Sequence, residues 1–310
     1  MSRVLIIGSE GQLGSELSIF LKKKMDPSNI FLSDIKDKSS SSSSLKYKKL
    51  DALSYEELKS FVKYNNISQI YHLAAILSAK GEKDPMKTWN LNMNSLFNVL
   101  ELAKNRLVEK IFWPSSISVF GINSGKVNTK QNSVKDPTTV YGISKLAGER
   151  WCEYYNMVYG TDVRSVRFPG IISSDTLPGG GTTDYAVDIF YSFLKNQEFK
   201  CFLSKDTMLP MIYIDDAIES IWKLMKSDKQ NLTIKSSYNL AAFSITPKII
   251  FDELKKLNSE FKIVYSPDKR QSIADSWPNT IEDSQARKDW NWKEKFSLKE
   301  TINEMLKKMK

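Results

Sequence analysis

Short continuous apolar runs alternate along the first half of the chain with longer stretches whose apolar positions recur every three or four residues. Val4-Leu5-Ile6-Ile7 is a run of the first kind, suited to a strand covered on both faces of a parallel sheet. Ser15 to Lys24 then reads as a helix, and Ile30 to Asp34 as a second strand. The alternation continues with a short strand from Lys48 to Asp51, a helix from Tyr55 to Tyr64, and a fourth strand with its exit from Gln69 to Ala75. Trp89 to Lys104 is helical, Lys110 to Ser116 is a fifth strand, a helix runs from Tyr141 to about Tyr159, and Val163 to Phe168 is again extended. Repeated strand-helix units predict an α/β fold with a doubly wound parallel sheet, the Rossmann arrangement. Right-handed crossovers would gather the strand ends, and with them Gly8, Asp34, Ala75, Ser116 and Tyr141, around one crevice.

Beyond Gly170 the rhythm changes. Leu177 to Ala186 reads as a flexible glycine-rich loop feeding a helix from Tyr185 to Lys195, and Met211 to Asp216 leads into another helix with Asp215 and Asp216 as expected caps. Ser237 to Ala241 is expected to return to the sheet, and the tryptophan-bearing remainder to form a smaller α+β domain. The expected division is therefore 1–172, with the returning strand near 236–242, and 173–310. A run of six serines ending at Ser44 cannot bury a core and is expected to be a surface loop.

Composition narrows the chemistry. With 310 residues, 26 % charged and 41 % hydrophobic, the chain has the balance of a soluble globular protein, and no apolar run approaches the ~18 residues a membrane span needs. The start, which passes from Arg3 directly into a strand, is expected to be a cytoplasmic one. The net charge of +9 comes from scattered lysines without interleaved aromatics, so solvated faces are expected rather than a nucleic-acid surface. Cys152 and Cys201 have neither metal-ligand nor redox-pair spacing, and His72 is the single histidine. No metal site is expected. His72, within a strand, is expected to be packed, and proton chemistry falls to Tyr, Lys, Ser or carboxylates.

Gly8, Gly11 and Gly14, between a strand and a helix, form a candidate phosphate cradle, because glycines let the backbone approach a pyrophosphate at the positive helix end. Asp34, about 20 residues on, suits a ribose 2′-hydroxyl and repels a 2′-phosphate, which favours NAD over NADP despite the nearby Lys36. Asp51 either accepts from an adenine amino group or caps the following helix. Ala74 and Ala75 are small enough for a cofactor to lie against the backbone. Tyr141 and Lys145 are one helical turn apart, and an ammonium ~4 Å from a phenol is worth about 4 kcal/mol at an effective dielectric of ~20. That is enough to bring a tyrosine from ~10 down by ~2–3 units.

Taken in order, Gly8/Gly11/Gly14, Asp34, Asn92, Ser116 and Tyr141/Lys145 resemble the extended short-chain dehydrogenase/reductase family, which includes UDP-sugar epimerases and dehydratases. The resemblance implies NAD held by Gly8, Gly11, Gln12, Leu13, Gly14, Asp34, Ile35, Asp51, Ala52, Leu73, Ala74, Ala75, Asn92, Pro169 and Ile171, together with Tyr141 and Lys145. It makes Ser116 the residue that orients the reacting oxygen, Tyr141 the base, and Lys145 the ribose ligand that lowers the tyrosine pKa. Asn92 resembles an asparagine that holds a helix carbonyl and a relay water. The stretches at 178–188, 209–216 and 270–278 resemble the branch of that family whose substrate is L-threonine. That implies oxidation to 2-amino-3-oxobutanoate, which loses carbon dioxide unless a ligase takes it on to glycine. Ser78, Thr182, Thr183 and Asp184 would then contact the substrate alongside Ser116 and Tyr141. Asp184 pairs with its ammonium or caps a helix. Family members commonly pair through the helices of Asn92 and Tyr141, so a homodimer is expected. The rival within the family is a sugar-nucleotide epimerase, for which Arg270 could hold a diphosphate. A rival of another class is a dinucleotide-fold binding module without turnover. Ser9 and Glu10 depart from the family pattern, which has smaller residues there.

Overall fold

The structure is a computed structural model that describes residues 2–38, 45–175 and 179–309. The serine run at 39–44, and Leu177 and Pro178 of the expected glycine-rich loop, lie outside the described residues.

A six-stranded parallel sheet organises the fold. Its strands are β1 (Val4–Ile7), β2 (Ile30–Asp34), β3 (Lys46–Lys49), β4 (Gln69–His72), β5 (Lys110–Phe112) and, after β6 (Ser115–Ser116), β7 (Asp162–Arg164), in the order β3-β2-β1-β4-β5-β7. The continuous apolar run of β1 has the expected meaning. Val4 and Ile6 enter one core with Leu17 and Leu21, while Leu5 and Ile7 enter the other with Leu96 and Val99. On the first side lies α1 (Gln12–Lys24). On the second lie α2 (Tyr55–Asn65), α4 (Pro85–Lys104), which follows the one-turn α3 (Ser78–Gly81), and α5 (Val140–Tyr159). The expected Rossmann sheet is thus the one observed.

Two expected helices start earlier than their apolar pattern does. α1 begins at Gln12, so Gly14 lies in its first turn, and α4 begins at Pro85, with the Asp84 carboxylate accepting from Lys87 N at 3.1 Å. Proline at the first helical position loses no hydrogen bond and presets the turn. α5 begins on Thr139, whose hydroxyl accepts from Gly142 N at 3.0 Å, and stops at Gly160 in the left-handed region.

Two expected strands are each divided. The stretch 110–116 breaks at Trp113-Pro114, and the stretch 163–168 breaks at Ser165 into β7, which starts one residue earlier, and β8 (Val166–Phe168). Proline has no N–H to continue a ladder. The second halves leave the main sheet: β6 pairs with β8, and β8 with β12 (Tyr238–Asn239), all parallel. Ser116 is carried out of the main sheet on this small second sheet.

The rest of the chain forms a three-stranded sheet, β9 (Gly170–Ile172), β11 (Leu209–Tyr213) and β13 (Phe243–Ile245), and a parallel pair, β10 (Phe199–Cys201) with β14 (Ile263–Tyr265). Packed with them are α6 (Tyr185–Leu194), α7 (Ile214–Lys226), α8 (Pro247–Leu257), α9 (Arg270–Ser276), α10 (Ser284–Trp290) and α11 (Leu298–Lys308). The expectation that Asp215 and Asp216 cap α7 is corrected. Tyr213 holds the cap position without a side-chain bond, Asp216 accepts from the Lys295 and Phe296 amides at 3.0 Å, and Asp215 pairs with Lys308 at 3.4 Å. These acids tie the C-terminal segment to α7. Cys152 and Cys201 are buried free thiols.

Candidate active site

A cavity of about 240 Å³ opens where β1, β4, β6 and β8 end. Its floor is the glycine cradle. Gly8 has φ +86°, and a Cβ there would stand 2.6 Å from Ala74 N; a Cβ on Gly14 would stand 2.2 Å from Gly8 O. Backbone therefore packs on backbone at both places. Gly11 holds the cap position of α1 without a side-chain bond, which leaves first-turn amides for an anion. Gln12 and Leu13 complete this wall, and Leu73, Ala75, Pro169 and Ile171 line the same cavity. The cradle fits the diphosphate of a dinucleotide.

The ends of β2 and β3 do not form walls of this cavity. Asp34 is buried, with Oδ2 accepting from Glu10 N and Oδ1 from Lys36 N, each at 3.0 Å. It braces the glycine loop, and each oxygen keeps lone-pair capacity for a ribose hydroxyl. Ile35 is exposed and Ala52 buried, its carbonyl accepting from Asn98 Nδ2 at 2.9 Å. The cap alternative for Asp51 is corrected: Ser54 stands at the cap of α2, and Asp51 Oδ1 accepts from Leu53 N at 2.9 Å.

Ser116 at the end of β6 and Tyr141 and Lys145 on the first turns of α5 line the cavity together. The Ser116 hydroxyl accepts from Ser118 N at 3.2 Å. Burial pushes the Tyr141 phenol up to about 12, against the lowering effect of Ser116. Burial brings the Lys145 ammonium down to about 7. Lys145 Nζ donates to Pro114 O at 2.6 Å, lies over the Trp113 ring at 4.4 Å, and is 5.6 Å from the Tyr141 ring centre. The expectation that Lys145 by itself depresses Tyr141 is thus corrected, because desolvation drives both groups of the pair towards neutrality. One turn further along α5, Glu149 forms a fully buried bidentate pair with Arg167, at 2.8 Å for each bond, and accepts from the Ser115 hydroxyl at 2.7 Å.

Asn92 does not reach a helix carbonyl directly, and it lies outside the cavity wall. Its Oδ1 accepts from Ile76 N at 2.9 Å, while Nδ2 donates to Ile76 O and to Ser144 Oγ at 3.2 Å. Ser144 Oγ donates in turn to Tyr141 O at 2.7 Å. Asn92 thereby fixes the exit of β4 against the turn that carries Tyr141. His72 is packed as expected: Nε2 meets Ser95 Oγ at 2.9 Å, and burial brings the ring down to about 3, so it is neutral.

Ser78, Thr182, Thr183 and Asp184 line the other side. Ser78 and Thr182 share a hydrogen bond at 3.3 Å, and Thr183 packs on Gly170, where a Cβ would stand 2.7 Å from its methyl. The capping alternative for Asp184 is corrected. Its backbone precedes α6, but the side chain makes no cap bond; Oδ2 instead accepts from Gly180 N at 2.8 Å and Gly181 N at 2.7 Å. Burial raises its pKa, opposed by those amides and by Arg270. Arg270 itself is engaged. It grips Asp268 with Nε–Oδ1 at 3.0 Å and Nη2–Oδ2 at 2.6 Å and stacks 3.1 Å over the Phe202 ring centre, so the diphosphate role is not supported. Sequence reasoning missed Leu77 and Trp277 as walls. Trp277 was visible only as part of an unusual stretch, with nothing local to aim it at a cavity.

The chain belongs to the NAD dependent epimerase/dehydratase family, whose profile matches residues 4–241. Within it, the chain is 42 % identical to the mitochondrial L-threonine 3-dehydrogenase of Bos taurus, over 98 % of this chain and 82 % of that protein. Among solved structures it superposes on the GalE-like L-threonine dehydrogenase from Cupriavidus necator in its holo form with a TM-score of 0.97, at 47 % identity over 99 % and 100 % of the two chains. A monomeric L-threonine 3-dehydrogenase of metagenomic origin, in its apo form, gives a TM-score of 0.93 at 41 % identity, over 99 % and 98 %.

Proposed function

We propose that this chain oxidises the C3 hydroxyl of L-threonine to the ketone of 2-amino-3-oxobutanoate with NAD. The reading is carried by the convergence on one small cavity of Ser116, Tyr141 and Lys145 with Thr182, Thr183 and Asp184. Such a cavity offers a carboxylate for an ammonium and hydroxyls for a carboxylate. The relatives named above support the same substrate. Asp34 at the end of β2 accepts a ribose 2′-hydroxyl and opposes a 2′-phosphate, which makes NAD the preferred form.

Tyr141 takes the hydroxyl proton, and Ser116 orients that oxygen. When bound, NAD would supply the acceptor for the C3 hydride and a positively charged pyridinium ring. Lys145 holds the ribose and the second proton of the pair. Desolvation disfavours the productive ammonium–phenolate form relative to the neutral pair. Attraction between the two charges opposes that cost. The remaining gap is left to Ser116 and the pyridinium charge. The two forms contain the same number of protons, so between about 7 and about 12 their ratio does not change with pH. kcat/KM is therefore expected to rise about tenfold per pH unit up to about 7 and then level off.

The direct test is NADH absorbance with NAD and L-threonine, run beside D-threonine, L-serine, UDP-glucose and NADP. A rise with L-threonine and NAD supports the reading. UDP-sugar conversion without net NADH would replace it with the epimerase.

A homodimer is proposed through α4 and α5, which leave Met86, Trp89, Ile143, Trp151, Tyr154 and Val158 exposed. Ile143, Trp151, Tyr154 and Val158 follow helical spacing along one face of α5, and contiguous apolar surface of this kind marks an interface. Sedimentation at twice the chain mass, reduced to the monomer by Trp151→Glu, is the expected result. A monomer at all concentrations would align the chain with its monomeric relative instead.

A further inference from the structure

We infer that Trp277 is the size limit of the substrate pocket and that Lys126 sets it in place, so that the pocket accepts a methyl on the carbinol carbon and rejects longer substituents. The inference rests on the threonine reading. There, Asp184, Thr182 and Thr183 engage the ammonium and carboxylate, and Ser116 and Tyr141 engage the hydroxyl. Only the methyl is left to meet an apolar surface. Leu77 and Trp277 line the same cavity, and Leu77 lies beside Gly179, where an added Cβ would fall 3.4 Å from its Cδ1.

Trp277 is buried and terminates α9, its N–H donating to Ala274 O at 3.1 Å. Pro278 follows and biases it to the extended backbone it adopts, φ −89° and ψ 160°. Lys126 Nζ donates to Trp277 O at 2.8 Å and also to Asp275 O, a cation placed on the carbonyls that end α9. The main chain continues the clamp. Lys126 O accepts from Asn279 N at 2.7 Å, Thr129 N donates to Thr280 O at 3.0 Å, and Glu282 N donates to Thr129 O at 3.0 Å, around a parallel bridge from Thr129 to Ile281. Segment 126–129 lies in the chain between Ser116 and Tyr141. The main chain that carries the indole is thereby referenced to the segment between Ser116 and Tyr141, and that main chain cannot shift for a larger substrate without breaking this strap. One methylene in an apolar pocket discriminates by ~10–200-fold, which sets the scale of the effect.

The test begins with wild-type turnover of L-threonine, because its absence sinks the threonine reading and this inference with it. Given that turnover, kcat and KM are compared for L-threonine and for the threo forms of 2-amino-3-hydroxypentanoate and 3-phenylserine. Trp277→Ala is expected to shift the ratio of kcat/KM towards the longer substrates at least tenfold, and Trp277→Phe to shift it less than threefold. Lys126 is a positioning residue. Lys126→Met should raise KM for threonine with kcat little changed and relax the same ratio, and Lys126→Arg should restore it. NAD binding and melting temperature are checked for every variant, and Trp277→Leu with Lys126→Met carries the test if the alanine variant does not fold. Folded, NAD-binding variants whose substrate ratio stays at the wild-type value would overturn the size limit while leaving the threonine reading intact.

Discussion

The glycine cradle and the substrate wall face each other across one cavity, yet they are built from different materials. The cradle is main chain packed on main chain within a few residues of β1 and α1, so an added Cβ at Gly14 would land 2.2 Å from Gly8 O. The wall is made of side chains brought from Ser78, Thr182, Asp184 and Trp277, and of these Ser78, Thr182 and Trp277 are held by partners far away in sequence. A site made of backbone has little to adjust without losing its shape. A site made of side chains can be retuned one group at a time, and that is where members of a family built on one cradle can differ in substrate. Between them stand Ser116 and Tyr141, which belong to neither.

The first way to sharpen this contrast is to remove chemistry and leave both regions intact. Tyr141→Phe keeps the ring in its packing and is expected to lower kcat by about 10³-fold or more while NAD still binds, measured by NADH formation and by cofactor titration. Turnover near the wild-type rate would take Tyr141 out of the mechanism. Next comes the cradle. Gly14→Ala gains about 1 kcal/mol of helix propensity, but overpacking against the carbonyl of Gly8 costs about 1–3 kcal/mol or more, and the cradle must open to relieve it. NAD affinity is expected to fall by about 100-fold with a lower melting temperature. An unchanged NAD titration would mean that the cradle adjusts as readily as the wall.

The contrast also accounts for what the sequence could and could not tell. The doubly wound sheet was legible because Val4 to Ile7 and its counterparts must be apolar on both faces, and the helix expected from Tyr141 to about Tyr159 is observed as Val140–Tyr159. The breaks at Trp113-Pro114 and Ser165 were not read, since a proline inside a run tells where a ladder weakens but not which strands the second half will join. Partners chosen by tertiary contact were read less well still. Asp216 reached the C-terminal segment instead of capping α7, and Asn92 reached Ile76 and Ser144 instead of a helix carbonyl. The same limit applies to Lys145. Spacing put it beside Tyr141, but only the fold shows how fully both are desolvated, and that decides which protonation state the pair prefers.

The wall should respond in a graded way. Asp184→Asn keeps an acceptor for Gly180 and Gly181 but loses the charge proposed above to meet the substrate ammonium. A charged hydrogen bond is worth about 2 kcal/mol, so KM for L-threonine should rise about 30-fold with a smaller change in kcat and none in NAD affinity. Steady-state kinetics with both substrates varied would show this. A fall in NAD affinity as large as the rise in KM would mean that wall and cradle are one structure rather than two.

The smallest expected effect lies where the two regions meet. Glu16, on the inner face of α1, is held up to about 7 by burial first, then by a hydrogen bond and the charge of Asp175, with Asp215 adding to the rise and Lys308 opposing it. Asp175 stands just after β9, on the chain leading to the substrate segment. Below the ordinary value of 4.5 Glu16 is protonated in both folded and unfolded chains, and between 4.5 and about 7 only the folded chain keeps the proton. The stability that this proton contributes is complete at the acid end of that window and is lost as pH rises through about 7. Glu16→Gln keeps a neutral side chain at every pH. Its melting temperature should match the wild type near pH ~4 and exceed it by a few degrees near pH ~8. A difference that stays constant across that range would show that the junction carries no shared proton, and that cradle and wall meet through packing alone.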